Sequence, residues 1–172
     1  MIITRQKPLD EVLNYLSDAK KIFIVGCAQC ATVCKTGGEV VNPGANPLEP
    51  ELIKFEKKIE AGAEFFQTQG IYDVEAFAKF IDKVKNFNAC IIAGIILLKS
   101  GDMARYMNKN VAGIFVPDNL IKEIEGAQDR QAKSVELAAR LVKELKGLAH
   151  GVHIMSIGWN KLVPRVLDAA GL

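Results

Sequence analysis

The run ACIIAGIILL, Ala89 to Leu98, holds ten residues with no charged side chain. A strand with one wet face alternates apolar and polar positions, whereas an unbroken apolar run between polar segments fits a strand covered on both faces, as in a parallel sheet flanked by helices. The rest of the chain repeats that unit. Strands are expected at Lys21–Cys27, Glu64–Gln69, Val111–Val116 and Val152–Ile157. Between them run amphipathic helices: Pro8–Ala19, with Leu9, Val12, Leu13 and Leu16 on one face, and Glu51–Ala61, marked by Leu52, Phe55 and Ile59 and ended by Gly62. Asp73 caps a third, whose stripe is Val74, Phe77, Ile81 and Val84, and helices follow at Asp102–Asn108, Arg130–Lys146 and Leu162–Ala170. Only VNPGANPLEP, Val41 to Pro50, breaks the rhythm with its prolines and glycine. Helices alternating with apolar strands imply right-handed crossovers and an α/β fold on a parallel sheet.

With 172 residues and 49% hydrophobic content, the chain has enough apolar side chain for one core, and a second independent domain is not expected. Net charge is only +2 and the basic residues are interleaved with acids, so no footprint for nucleic acid or an anionic membrane appears. The opening MIITRQKPLDEVLNYL carries acids and a proline where a signal peptide needs an apolar stretch, and no apolar run reaches the roughly 18 residues of a membrane helix. A cytoplasmic protein is the expectation.

Cys27, Cys30 and Cys34 form a C-x2-C-x3-C cluster, a pattern that in a reducing compartment binds metal or does redox chemistry more often than it forms disulfides. A zinc or iron–sulfur site normally uses four ligands. Cys90, inside the apolar run, reads as a small core residue. Two readings stay open: a metal centre completed from elsewhere, or reduced thiols at a strand end. His150 and His153 form no evident pair with a cysteine, so no nucleophile is implied.

Parallel sheets bind ligands at the C-terminal ends of their strands. That rule selects Gln69, Lys99 after Leu98, Asp118 after Pro117, and Ser156, Gly158 and Trp159. A glutamine at such a point is either a satisfied structural amide or a ligand reader. Lys54, Lys57 and Lys58 share one helix face by their spacing, a pattern that by itself usually describes a solvated surface.

Three stretches then carry a resemblance: AGAEFFQTQGIYDVEAF (Ala61 to Phe77), MARYMNKNVAGIFVPDNLI (Met103 to Ile121) and GVHIMSIGWNKLVPRVLDAAGL (Gly151 to Leu172). From Asn42 onward the chain resembles the second half of the methylenetetrahydrofolate reductase family. The resemblance implies a (β/α)8 barrel, of which strands five to eight are present. It also implies a flavin, FAD or FMN, at the C-terminal face, and reduction of 5,10-methylenetetrahydrofolate to 5-methyltetrahydrofolate with electrons from NAD(P)H or another donor. KPLDEVLNYLSDAKKIFIVGCAQCATVCKTGGE resembles the start of a cysteine-rich accessory protein that accompanies short bacterial reductases. Residues 1–40 are therefore expected to form a cysteine-containing helix–strand–loop segment, and residues 41–172 the half-barrel.

The same resemblance assigns roles. Lys54, Lys57 and Lys58 become flavin-phosphate contacts, with Glu51 and Asn46 as hydroxyl partners. Gln69 and Asp118 become folate contacts, and Cys27, Cys30 and Cys34 metal ligands. Trp159 stands where many relatives carry a basic residue. The acids that handle protons come from the family's first half and have no match here. Four strands of a barrel leave open edges, so pairing with a second copy or a partner subunit is expected. The alternative class is a noncatalytic accessory protein with a vestigial flavin site.

Overall fold

The structure, a computed structural model, describes residues 39–172. The helix expected at Pro8–Ala19, the strand at Lys21–Cys27, and Cys27, Cys30 and Cys34 lie outside the described residues. The chain runs β1 (Glu39–Val41), α1 (Glu49–Glu60), β2 (Phe65–Gly70), α2 (Val74–Val84), β3 (Cys90–Ile96), α3 (Gly101–Asn110), α4 (Asp118–Glu125), α5 (Arg130–Leu145), β4 (Gly151–Met155), a 3-10 turn (Asn160–Leu162) and α6 (Val163–Ala170). All strand pairs are parallel and the sheet order is β1-β2-β3-β4. The α/β class with strands alternating with helices is as expected, and the arrangement is that of part of a β/α barrel.

Local chemistry sets the helix starts. The Asp73 carboxylate accepts from Ala76 N at 2.9 Å, the Ser100 hydroxyl from Met103 N at 3.1 Å, and Asp129 from the amides of Gln131 and Ala132. Packing then chooses the faces. Phe66, Ile91, Ala93, Ile95, Val152 and Ile154 are buried beside Phe77, Phe80, Leu141 and Val166. Phe55 of α1 is the hub at the β2 end. Its ring lies 4.2 Å from Phe66, 5.6 Å from Phe87 and 6.2 Å from Phe80, the latter two edge-on.

Two-sided burial holds for the C-terminal part of β3, where Gly94, Ile95 and Ile96 are all buried. It fails at the strand's start. Cys90 is exposed, not a core residue, because it opens the strand at the sheet's N-terminal rim, and Ile92 is half-covered.

The largest departure is at Val111–Val116, which is not a strand. Ile114 and Val116 are buried and Phe115 is 59% exposed, so the period-two pattern is real. Its hydrogen-bonding partner, however, is a side chain. The Asn108 amide donates to Val116 O at 2.9 Å and accepts from Val116 N at 2.7 Å, while Gly113, at φ 79°, turns the chain just before. α4 follows unanticipated, its buried Leu120, Ile121 and Ile124 set off by Pro117 at the N-cap. β1 was likewise not expected, since a three-residue strand carries too little periodicity to read.

Tyr72 is buried after β2 and its hydroxyl donates to Ile96 O at 2.8 Å. Burial pushes its phenol far above the usual tyrosine range. Above about pH 10 the unfolded chain releases this proton and the folded chain does not, so the contribution is full below that pH and falls as pH rises further. Tyr72→Phe is therefore expected to cost about 1–2 kcal/mol at neutral pH, through the lost hydrogen bond to a buried carbonyl, and to flatten the alkaline decline. Urea unfolding from pH 7 to 11 checks both; an unchanged slope above pH 10 would refute the assignment.

Candidate functional site at the C-terminal rim

At the end of β2 the register with β3 slips: Gln67 pairs with Ile92, but Gly70 pairs with Gly94. The extra residue makes a bulge, which bends the strand and re-aims the side chain beside it. The Thr68 hydroxyl spans the gap, accepting from Gly94 N at 2.9 Å and donating to Gln69 O at 2.8 Å. Gly94 must be glycine here, because a Cβ would lie 2.5 Å from Thr68 O and 2.7 Å from Gln69 O. Gln69 is half-buried on this bulge, and its side-chain amide makes no hydrogen bond to another described residue. Nothing in the linear spacing singles out Thr68 or Gly94, since their roles exist only across the β2–β3 pair.

At the β1 edge, Asn42 organises the rim. Its backbone N–H donates to Glu51 Oε1 at 2.9 Å, its side chain accepts from Gly44 N at 3.2 Å and donates to Ala112 O at 3.3 Å. Since Ala112 lies two residues past the end of α3, that helix bridges the C-terminal ends of β3 and β1. Arg105 bonds Asp102 at 2.9 Å and also Glu125, tying α3 to α4 and holding the Glu125 carboxyl below its usual range.

The structure sorts the expected flavin residues. Glu51, only 17% exposed in its side chain, already accepts the Asn42 amide and sits 3.8 Å from Lys54 Nζ. Lys58 donates to Val40 O at 2.7 Å and so is committed to the edge strand. Lys54 and Lys57 are exposed along α1, and Asn46 is exposed in the loop after β1. Asp118 is exposed in the first turn of α4. Lys54, paired with Glu51, and Lys57, in the last turn of α1, are exposed ammonium groups of the kind an anionic phosphate takes, whereas Glu51 and Lys58 are engaged within the chain.

Beyond β3 and β4, Lys99 and Trp159 meet, with the ammonium 5.4 Å from the ring centroid. Trp159 follows a tight turn whose Ile157 and Gly158 have φ of 46° and 84°. A bond from Trp159 N to Ser156 O at 3.0 Å and one between the Ser156 hydroxyl and the Asn160 side chain hold that turn.

At the opposite, N-terminal rim a cavity of about 500 Å³ is lined by Glu64, Lys85, Phe87, Cys90 and His150 among others. Cys90 and His150, which the sequence did not bring together, thus share one cavity. Nδ1 of His150 accepts from Ile91 N at 3.1 Å. His153 is buried within β4. Among the described residues no group of three or more His, Cys, Asp or Glu side chains is placed to hold a metal, and no helix is long and apolar enough to cross a membrane.

A parallel α/β sheet of barrel type, with polar groups gathered at its C-terminal rim, defines the class. A family model for methylenetetrahydrofolate reductase matches residues 12–171, and the chain belongs to that family of oxidoreductases. The match begins ahead of the boundary expected near residue 41. "Methylenetetrahydrofolate reductase 2" of Schizosaccharomyces pombe is 29% identical over 130 residues, covering 67% of this chain and 20% of that protein. "Methylenetetrahydrofolate reductase 1" of the same organism is 28% identical, covering 71% and 21%. A Caenorhabditis elegans protein described as "Probable methylenetetrahydrofolate reductase (NADPH)" is 23% identical over 96% of this chain and 25% of its own length. The chain thus spans about a fifth to a quarter of these curated relatives.

Proposed function

We propose that this chain supplies the flavin- and folate-binding rim of a reductase that converts 5,10-methylenetetrahydrofolate to 5-methyltetrahydrofolate, with NAD(P)H or another donor as the electron source. The observation that carries the reading is the Gln69 amide, half-buried at a C-terminal strand end with no partner among the described residues. One amide offers both a donor and an acceptor, which is what the edge of a pterin requires. A bound flavin supplies the hydride chemistry; the chain's own residues bind and orient. Lys54 and Lys57 would hold the phosphate at the β1 edge, Gln69 would read the pterin one strand away, and Asp118 and Asn46 stand as further polar contacts from their loops. The division into residues 1–40 and 41–172, and closure of the sheet by a second copy or a partner subunit, belong to the same reading.

Gln69→Ala is expected to weaken folate binding by about 1–3 kcal/mol and to leave flavin retention unchanged. Calorimetric titration with 5-methyltetrahydrofolate, beside flavin absorbance of the same samples, tests this. Equal folate affinity in the two proteins would return Gln69 to a structural role, and a wild-type chain that binds neither ligand would favour the accessory-protein alternative.

A further inference from the structure

We propose that the cavity at the N-terminal rim binds a small zwitterion with an apolar side chain, a ligand of the amino-acid kind, independently of the folate reading and at the opposite end of the sheet. Its volume of about 500 Å³ is in the range of small-molecule sites. The floor is apolar: Ile81, Val84 and Phe87 come from α2 and the loop after it, Ile91 from β3, and Leu148 from the segment between α5 and β4. Exposed polar groups border it, and they are of both signs.

Three strand starts place them. The Cys90 backbone N–H donates to Glu64 O at 2.8 Å and the His150 backbone N–H to Ile91 O at 2.9 Å, so Glu64 and His150 flank the start of β3 with their backbones roughly 10 Å apart. Nδ1 of His150 accepts from Ile91 N at 3.1 Å, which fixes the ring and leaves the proton of the neutral imidazole on Nε2. No hydrogen bond or ion pair among the described residues engages that Nε2–H or the Glu64 carboxylate. A fixed donor and an uncommitted carboxylate thus border one cavity.

Lys85, at the C-terminal end of α2, adds an ammonium whose partner is Asp82 at 3.2 Å. Both side chains of that pair are well exposed and such a pair is worth little, so the ammonium is available to an incoming carboxylate. An apolar amino acid matches this set. Its ammonium meets Glu64, its carboxylate meets Lys85 and the His150 Nε2–H, and its side chain covers the apolar floor. A simple apolar acid would face the Glu64 charge with nothing to answer it, and a simple apolar amine would do the same at Lys85.

Cys90 is exposed on the same cavity, so its alkylation reports occupancy. The full chain is treated with iodoacetamide, and the Cys90 peptide is followed by mass spectrometry, which separates it from the other cysteines. L-Phenylalanine is expected to slow this alkylation in a saturable way, with 3-phenylpropionate and 2-phenylethylamine each about fivefold weaker. Glu64→Gln should remove the preference for phenylalanine over 3-phenylpropionate, and Lys85→Met should reduce its preference over 2-phenylethylamine. The wild-type ranking of the three probes needs no variant and stands in should either substitution fail to fold. No protection by phenylalanine, equal protection by all three probes, or preferences that survive both substitutions overturns the assignment. None of these results touches the folate reading, which concerns the other rim.

Discussion

Phe55→Ala is expected to lower the stability of the folded sheet by about 3–5 kcal/mol, the range for removing a fully buried phenylalanine. Phe55 is 1% exposed and touches the rings of Phe66, Phe80 and Phe87, which come from β2, α2 and the loop after α2. No single neighbour can fill the space, because the edge-on rings of Phe80 and Phe87 are held by different elements. The effect should reach the rim. Phe55 is the only fully buried residue of α1, and the same helix carries Lys54 and Lys57. Loosening it should reduce flavin retention more than folate binding. Urea unfolding should show a lower midpoint with an unchanged slope. A loss under about 1 kcal/mol would mean the aromatic cluster repacks and α1 is anchored by other contacts.

Gly94→Ala is expected to destabilise by about 2–4 kcal/mol and to impair folate binding beyond what stability explains. The added carbon would meet two backbone carbonyls, Thr68 O at 2.5 Å and Gln69 O at 2.7 Å, and neither can swing away as a side chain could. Relief requires β2 and β3 to separate, which breaks the Gly94 N–H bond to Thr68 and undoes the bulge under Gln69. Gly126→Ala provides the contrast. Gly126 has a right-handed helical backbone and an added Cβ would approach nothing closer than Lys122 O at 3.4 Å, so a change within about 0.5 kcal/mol is expected. Thermal unfolding and folate titration of both variants decide it; a Gly94→Ala protein with wild-type folate affinity would show that the bulge does not position Gln69.

Much of the fold is legible from local pattern. The helices α1, α2, α3 and α5 follow from apolar spacing and from caps such as Asp73, and β2, β3 and β4 from apolar runs, to within a residue or two. The segment at Val111–Val116 misleads for a specific reason. Alternating burial describes which side chains face the core, and it is the same whether the backbone bonds a strand or the Asn108 amide. Cys90 misleads similarly, since an apolar run does not say which of its ends lies at the rim.

The candidate site divides along the same line. Strand-end position alone brought Gln69, Lys99, Asp118 and Trp159 to notice, because in a parallel sheet that position follows from chain direction. It could not show that Gln69 sits unpaired on a bulge, that Glu51 is spent on Asn42, or that Lys99 lies over Trp159. Helix and strand type, caps and chain direction depend on residues a few positions apart, so the sequence by itself determined a parallel α/β fold and the rim at which the candidate binding residues gather. Which polar groups on that rim are committed and which are free depends on partners such as Gly94, 26 positions from Thr68, and Ala112, 70 positions from Asn42. Those distances close only when the strands pair, and so only the tertiary structure decided them.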